Sequence, residues 1–441
     1  MFSRTNQGRI LMKVKFLQDC IDLIRCKETN SLIIKCKYLI YFIKLKLKLK
    51  KIKSKAKIKI AFLHMYSADI QNISIFEKLL HNSKFDPYFI VNPDLLTNDK
   101  NLVYQYDKTF NELTQTYGKN RVLHGYLVGE KKFIDYSSEF DIMTTNNPYD
   151  SKSHTFFKIE YWIKKNIPVF YISYFYSGRC IVTIHNLQLH YLNYLWIWFI
   201  ENKEMLKLAD KYRIKKSKNL YLSGYPKMDK LINYPKKIQD KKNIIIAPHH
   251  TIQQNSSFKI GNFLKYYNLF LELPKKYPYI NFIFRPHPLL IQTLRHSDIW
   301  GEEKTNDYLK QLLSNKNIIF SDRGDYLQLF AESDGMIHDC GSFMAEYLYL
   351  KKPVAFIMNH DTNDMLTNFG KKCIKSHYCL YQEDDFYDFI ENVIIKCQDY
   401  KKYFRNDFAN DSVIVNYPHS TQAIYNKLLK ELHDIDSNAL F

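Results

Sequence analysis

Four short polar loops of this sequence contain residue types that could bind or transfer a charged phosphate group. Each loop follows an apolar segment of strand length, and the loops span residues 248–251, 285–288, 322–325 and 338–342. Together they supply histidines, arginines and a serine hydroxyl. If the four segments form one parallel α/β sheet, their carboxyl ends meet at one edge, where such sheets bind ligands. The sequence therefore predicts one pocket for a nucleoside diphosphate.

The last of these loops lies in the most informative stretch of the chain, residues 336–357. An apolar strand, a polar turn, a helix and a second apolar strand follow one another there. A helix N-terminus offers unpaired N–H groups and a partial positive charge, so it attracts anions. We expect Ser342 to donate to phosphate and Glu346 to accept from ribose hydroxyls. The predicted donor-binding residues are Arg285, His338, Asp339, Gly341, Ser342 and Glu346.

The histidines of these loops are the candidates for catalysis. Arg285 and His287 can neutralise phosphate charge, including charge that grows on a leaving phosphate. The predicted catalytic residues are His249, His250 and His287. Each feature also has a simpler explanation, because a His-Pro pair often forms a turn and a serine often caps a helix. Their collection at one predicted sheet edge favours a binding site.

The sequence contains no glycine-rich phosphate loop of the GxxxxGK[ST] or GxGxxG kind. No paired carboxylates follow a strand in a position that suggests a metal site, and residues 384–385 are better explained as a helix cap. We therefore expect no metal and no cofactor, with the phosphates bound by the protein itself.

Residues 57–233 have the pattern of a first α/β domain, in which helix 74–80 connects two parallel strands. Its predicted strands lie in residues 57–65, 88–91, 141–145, 168–172 and 219–227. Apolar residues at helical spacing predict a buried helix over 187–207. Polar residues that follow the strands are candidates for the acceptor side, namely His64, Tyr149, Ser173 and Tyr174.

A lysine-rich linker over residues 234–242 separates this domain from a second one at 243–400. The predicted strands and helices of the second domain span residues 243–247, 258–276, 280–284, 318–320, 326–332 and 384–397. Residues 401–441 are expected to form a C-terminal helical tail. The fold class is therefore α/β, with two domains and a separate N-terminal segment.

That N-terminal segment, residues 1–56, is a basic arm. Residues 1–57 hold 16 Lys and Arg residues against three acids, so they carry +13 of the net charge of +19. As a helix, residues 32–51 combine an apolar stripe with dense lysines, which is typical of a helix at an anionic membrane surface. A solvated arm or a helix packed on the body is the alternative. Sparse aromatic residues in the lysine run argue against nucleic acid.

Eight cysteines occur without a CxxC pair or zinc-finger spacing, which favours a reducing compartment. Neither a secretory signal nor an uninterrupted apolar run of membrane-spanning length is evident. We therefore expect a cytoplasmic protein that is peripheral at the inner face of the cell membrane.

Residues 333–347, followed by Lys352-Pro353-Val354, resemble the C-terminal signature of the CDP-glycerol glycerophosphotransferase family. This family comprises the teichoic-acid primases and polymerases and related capsule enzymes. Residues 224–229, 247–251 and 284–288 are also similar to blocks of the family. The resemblance covers roughly residues 58–400. It implies a GT-B architecture, with two Rossmann-like domains facing across a cleft and the donor held by the C-terminal domain.

The resemblance also implies transfer of glycerol phosphate from CDP-glycerol to a hydroxyl, with release of CMP and without an essential metal. By position, His287 matches a histidine that the family uses around the donor phosphates. Asp339 and Ser342 match residues of its turn, and Glu346 matches its ribose-side acid.

The chain departs from the family pattern in two places. Inside the turn, a threonine is replaced by His338, and a Tyr-Ser pair by Cys340-Gly341. The Trp-His-Gly block that supplies a candidate base in the polymerases has no counterpart at residues 170–174. Either the base has moved, with His249, His250 and His64 as the candidates, or the acceptor chemistry differs.

The leading hypothesis is transfer of a polyol phosphate from a CDP-linked donor to a hydroxyl of a surface glycan or lipid-linked acceptor. A GT-B glycosyltransferase that uses a nucleotide sugar is the first alternative. A non-catalytic protein that binds membranes or polyanions is the second.

Overall fold

Two parallel β-sheets, each covered by helices, form the body of the protein. The computed structural model describes residues 29–66, 70–96, 99–145, 147–235, 240–252, 260–321, 326–360 and 362–432. The predicted loop at 322–325 lies outside the described residues, as do residues 1–28 of the predicted basic arm. The α/β class and the two-domain organisation are confirmed.

The first sheet has seven parallel strands in the order β3-β2-β1-β6-β7-β8-β9, and β4 and β5 form a separate hairpin. The strands are β1 (Ile58–His64), β2 (Phe85–Val91), β3 (Val122–His124), β4 (Tyr126–Leu127), β5 (Lys132–Phe133), β6 (Ile142–Thr145), β7 (Val169–Ile172), β8 (Ile197–Ile200) and β9 (Leu220–Leu222). The predicted helix over 187–207 is wrong, because β8 lies within it. A short apolar run of this kind fits a buried strand and a buried helix equally well.

The second sheet has six parallel strands in the order β12-β11-β10-β13-β14-β15. They are β10 (Lys242–Ala247), β11 (Ile280–Phe284), β12 (Ile318–Phe320), β13 (Gly335–His338), β14 (Val354–Ile357) and β15 (Tyr378–Leu380). Both sheets have the strand order of a doubly wound nucleotide-binding fold. The loops after β10, β11 and β13 therefore open at one edge, as the sequence predicts.

Helices cover both sheets and connect successive strands. The α-helices are α1 (Thr29–Lys53), α2 (Ile70–Leu80), α3 (Asp99–Tyr117), α4 (Ile159–Lys164), α5 (Cys180–Gln188), α6 (Glu204–Tyr212), α7 (Phe263–Lys276), α8 (Leu290–Leu294), α9 (Gly301–Leu313), α10 (Tyr326–Glu332), α11 (Phe343–Glu346), α12 (Asn368–Lys375), α13 (Glu383–Asp388), α14 (Lys402–Phe408) and α15 (Ser420–Leu432). Short 3₁₀ or π turns include Asp150–Lys152, Thr155–Phe157, His190–Tyr194, Pro226–Asn233, Tyr347–Leu350, Phe389–Ile395 and Ala409–Val413.

Helix α1 packs one face on the first domain. Leu45, Leu49 and Ile52 are buried in the same hydrophobic cluster as strands of the first sheet. Along this face, the predicted basic arm is a helix that packs on the first domain. Of the helices in the described part of the chain, none combines the length and the apolar character needed to cross a membrane.

The C-terminal segment is not a separate tail, which corrects the predicted boundary at residue 400. Phe408 and Val413 are buried in a cluster of the second domain. Helix α15 then returns to the first domain, where Ile424 and Leu428 join its core. The chain therefore crosses between the domains twice, once after β9 and again before α15.

Candidate active site between the two domains

A cavity of about 580 Å³ lies where the strand-end loops of the second domain face the first domain. This volume lies within the usual range for a site that binds a small molecule. The residues that line it include both charged and aromatic side chains. They are Lys108, Glu112, Tyr174, Phe175, Lys227, His249, Arg285, Pro286, His287, Pro288, Tyr326, Cys340, Gly341, Ser342, Phe343 and Glu346.

Three imidazoles cluster beside this cavity, and two of them, His249 and His287, line it. The ring centroids of His249 and His250 lie 4.4 Å apart, and His287 lies 4.8 Å and 4.0 Å from them. His249 and His250 follow β10, and His287 follows β11, so adjacent parallel strands bring them together. The sequence-predicted catalytic histidines thus form one cluster.

All three imidazoles are held neutral. Burial, and after it the neighbouring His287 and His250, lowers the pKa of His249 to about 2. Burial and His250 lower the pKa of His287 to about 3, and burial lowers the pKa of His250. Neutral imidazoles can accept a proton, and a bound anion would raise their pKa values. The cluster is therefore suited to proton transfer beside an anionic ligand.

The same three residues have the spacing of metal ligands, since one ligand atom from each lies within 4.8 Å of the others. This is the one group of at least three such residues in the ranges that the structure describes. Neutral imidazole is a common ligand of Zn²⁺. The expectation that the reaction needs no metal stays a prediction.

Asp339 does not line the cavity, which corrects its prediction as a donor-binding residue. It is fully buried, and its two carboxylate oxygens accept from the backbone N–H groups of His249 and Asn262, each at 2.6 Å. Burial raises the pKa of Asp339 to about 7. Asp339 therefore positions the loop that carries His249.

His338 is also turned away from the cavity, which corrects its predicted role. Its ring is fully buried, packs on Phe356, and accepts from the backbone N–H of Cys340 at 3.1 Å. Burial lowers its pKa to about 3. His338 is the last residue of β13, and it stabilises the turn from the protein interior.

The turn exposes Gly341 and Ser342 to the cavity, as predicted. Ser342 precedes α11, and its hydroxyl makes no capping hydrogen bond, so the simple N-cap explanation does not hold. Glu346 lines the cavity at the end of α11, and its carboxylate accepts from the hydroxyl of Tyr326. Ser342 and Glu346 thus mark two points along one wall.

Arg285 lies on the adjoining wall, where its guanidinium donates to the Ser321 hydroxyl at 2.8 Å. The ring of Tyr326 lies 5.5 Å from that guanidinium and 4.3 Å from the ammonium of Lys227. Lys227 and Tyr326 were not predicted as site residues. Lys227 belongs to the family-like block at 224–229, which was the available signal.

The first domain supplies the opposite wall through Tyr174 and Phe175, which follow β7, and through Lys108 and Glu112 of α3. The hydroxyl of Tyr174 lies 3.3 Å from that of Tyr149. Lys108 and Glu112 escaped prediction, since their spacing of four residues is typical of any exposed helix pair.

Three predicted acceptor-side residues do not line the cavity, namely Tyr149, Ser173 and His64. Ser173 is buried, and its hydroxyl accepts from the indole N–H of Trp198 at 3.1 Å. His64 is fully buried at the end of β1 with its ring 5.4 Å from that of Phe89. Burial lowers the pKa of His64 to about 4. His64 is therefore a core residue and not the base.

The fold and the placement of this cavity define the class of protein as GT-B-like. The structure is similar to that of the wall teichoic acid polymerase TagF, with a TM-score of 0.57 and 14% identity over 91% of this chain and 98% of that one. It is also similar to a UDP-N-acetylglucosamine 2-epimerase, with a TM-score of 0.56 and 11% identity over 85% and 96% of the two chains. At these identities the likeness shows the fold. No match was found among curated proteins.

One family model matches part of the sequence. Residues 187–365 match the model of the family described as CDP-Glycerol:Poly(glycerophosphate) glycerophosphotransferase. The match includes β10, β11 and β13 with the loops that carry the histidines and the turn. The matched residues make up less than half of the chain, and within them the match confirms the resemblance seen in the motifs.

Proposed function

We propose that this protein transfers glycerol phosphate from CDP-glycerol to a hydroxyl of a cell-surface glycan or a lipid-linked acceptor and releases CMP. The observation that carries the proposal is the convergence of His249, His287, Arg285 and Ser342 in one cavity within the family-matched region. A variant of TagF, which shares the fold, has been solved after soaking with CDPG.

The donor would lie along the wall formed by the second domain. Glu346 would accept hydrogen bonds from the ribose, and Ser342 with Arg285 would donate to the diphosphate. Charge-assisted bonds from a guanidinium to phosphate are among the stronger polar contacts. Lys227 would add a further positive charge beside Tyr326.

In the reaction, the acceptor oxygen attacks the phosphorus that carries glycerol, and the bond from that phosphorus to the bridging oxygen breaks. The electron pair leaves with CMP. A neutral imidazole of the cluster takes the acceptor proton, which contributes typically 10²–10⁴-fold to such reactions. The acceptor hydroxyl would enter past Tyr174 and Phe175 of the first domain.

The cluster is tested by His287→Ala, measured as CMP released from CDP-glycerol in the presence of acceptor. We expect turnover to fall by at least about 100-fold while thermal unfolding changes little, because this ring borders the cavity. His296→Ala is the matched control, since His296 is exposed and lies outside the cavity. Equal activity of the two variants would contradict the assignment.

We further propose that α1 attaches the protein to the anionic inner face of the cell membrane. Ile40, Ile43 and Leu47 form an exposed apolar stripe on the side opposite its buried face, with 53%, 51% and 60% of their surfaces accessible. At 100° per residue, lysines flank this stripe on both sides. They are Lys37, Lys44 and Lys51 on one side and Lys46, Lys50 and Lys53 on the other. An apolar stripe between two basic rows suits a helix in the lipid headgroup region.

Substitution of the stripe tests this attachment better than deletion of the helix, because deletion would remove Leu45 and Ile52 from the core. We expect the triple variant I40S/I43S/L47S to lose binding to vesicles with anionic lipid and to retain activity on a soluble acceptor. Leu313→Ser, another exposed leucine, should bind vesicles normally. Unchanged vesicle binding by the triple variant would refute the proposal.

A further inference from the structure

A short segment of the first domain, residues 176–179, is bound to the second domain. The hydroxyls of Tyr176 and Tyr349 lie 2.5 Å apart. The backbone N–H of Thr367 donates to the Gly178 carbonyl at 3.0 Å. These contacts fix the segment at the cleft, and its last residue, Arg179, therefore has a defined position relative to the donor site.

The side chain of Arg179 lies against Gly341 in the turn of the second domain. A β-carbon at Gly341 would come within 3.0 Å of the Cδ atom of Arg179 and 3.7 Å of its Cγ atom. The first distance is shorter than most β-carbon contacts, so a side chain at residue 341 would require the Arg179 side chain to shift. The departure of this turn from the family pattern thus coincides with an arginine from the other domain.

The positive charge of Arg179 reaches the histidine cluster. Burial and then the charge of Arg179 lower the pKa of His250, and the same charge contributes to the lowered pKa of His249. Burial also lowers the pKa of Arg179 itself. A guanidinium at this position can donate charge-assisted hydrogen bonds to a bound phosphate.

We propose that Arg179 binds the donor phosphate that is farther from the ribose. The absence of a side chain at Gly341 leaves room for the Arg179 side chain. Glu346 marks the ribose side and lies four residues beyond Ser342, which is about 6 Å along a helix. Arg179 lies at the other end of the turn, beside the imidazoles. The inference rests on the proposed function, in which this phosphate is the one transferred.

The test compares the affinities of the protein for CDP and CMP, which differ by that phosphate, using isothermal titration calorimetry. We expect the unaltered protein to prefer CDP. Arg179→Gln should weaken CDP binding by roughly tenfold or more and leave CMP binding unchanged. Arg295→Gln is the matched control, because Arg295 is exposed and pairs with the exposed Glu302.

Equal weakening of CDP and CMP by Arg179→Gln would overturn the inference and indicate a role in holding the domains together. A retained preference for CDP would also overturn it. Gly341→Ser provides a second route, since the new side chain displaces Arg179 and should cause the same selective loss. If Arg179→Gln does not fold, a Gly341→Ser protein that keeps the preference contradicts the inference.

Failure of the proposed function gives a different result. A protein that shows the Arg179-dependent preference for CDP but releases no CMP from CDP-glycerol would refute glycerophosphate transfer alone. A protein that binds neither CDP nor CMP would refute both.

Discussion

Asp339 is buried next to the donor site and joins two of its loops through hydrogen bonds. Its carboxylate accepts from the backbone of His249 and of Asn262. Without it, two buried N–H groups would lose their acceptors, at a cost of about 1–3 kcal/mol each. We expect Asp339→Ala to lower the free energy of unfolding in urea by roughly 2–6 kcal/mol and to reduce turnover, because the His249 loop is released. Asp384→Ala, an exposed acid at the start of α13, should be close to neutral; equal stability of the two variants would contradict this role.

His64 gives a prediction about pH. Its pKa is about 4 in the folded protein because of burial, and about 6.5 in an unfolded chain. Between these values the unfolded state binds the proton and the folded state does not, so acidification destabilises the protein; above pH 6.5 the effect vanishes. His64→Leu should therefore reduce the fall in unfolding free energy between pH 6 and 4.5, by up to about 1.4 kcal/mol per pH unit. If the unfolding free energies of the unaltered protein and of His64→Leu fall in parallel with pH, the prediction is refuted. Turnover of the variant at pH 7.5 should be unchanged.

It was easier to predict which residues lie at the sheet edge than which way their side chains point. The sequence placed His249, His287, Arg285, Ser342 and Glu346 on one edge, and all five line the cavity. It also placed His338 and Asp339 there, and both are buried behind it. Neighbouring residues at a strand end point to opposite sides, and a strand with both faces covered carries no alternation to show which side faces the ligand.

At the scale of elements, the parallel strands were predictable because their apolar runs are bounded by polar loops. The segment around β8 was not, since its Ile-Trp-Phe-Ile run lies among aromatic residues at helical spacing. Helix α3 carries Lys108 and Glu112 to the cavity, and its low hydrophobicity gave no signal for a site.

Gly224 joins the end of β9 to the C-terminal crossing segment. It has a φ of +83°, and a β-carbon there would lie 2.0 Å from the Val415 carbonyl oxygen. Because backbone cannot move aside as a flexible side chain can, we expect Gly224→Ala to cost more than about 2 kcal/mol of stability. Gly129 has open space around its β-position, so Gly129→Ala should be nearly neutral. Thermal unfolding of the two variants checks this, and similar midpoints would argue against the contact.

At the scale of the whole molecule, function depends on contacts between domains that no local pattern specifies. The approach of Arg179 to Gly341 depends on how the two sheets face each other. Helix α15 is amphipathic in the sequence, but nothing there shows that its partner is the first domain. The resemblance to a known family supplied the expectation that the two domains face each other across a cleft.

The central claim is that the cavity accepts a CDP-linked polyol phosphate and breaks its diphosphate. The most direct measurement incubates the purified protein and an acceptor with CDP-glycerol, CDP-ribitol and UDP-sugars in parallel and identifies the released nucleotide. The account predicts CMP from CDP-glycerol, lost in His287→Ala and kept in His296→Ala. Release of UDP alone, from a UDP-sugar, would contradict the account and favour a glycosyltransferase on the same fold.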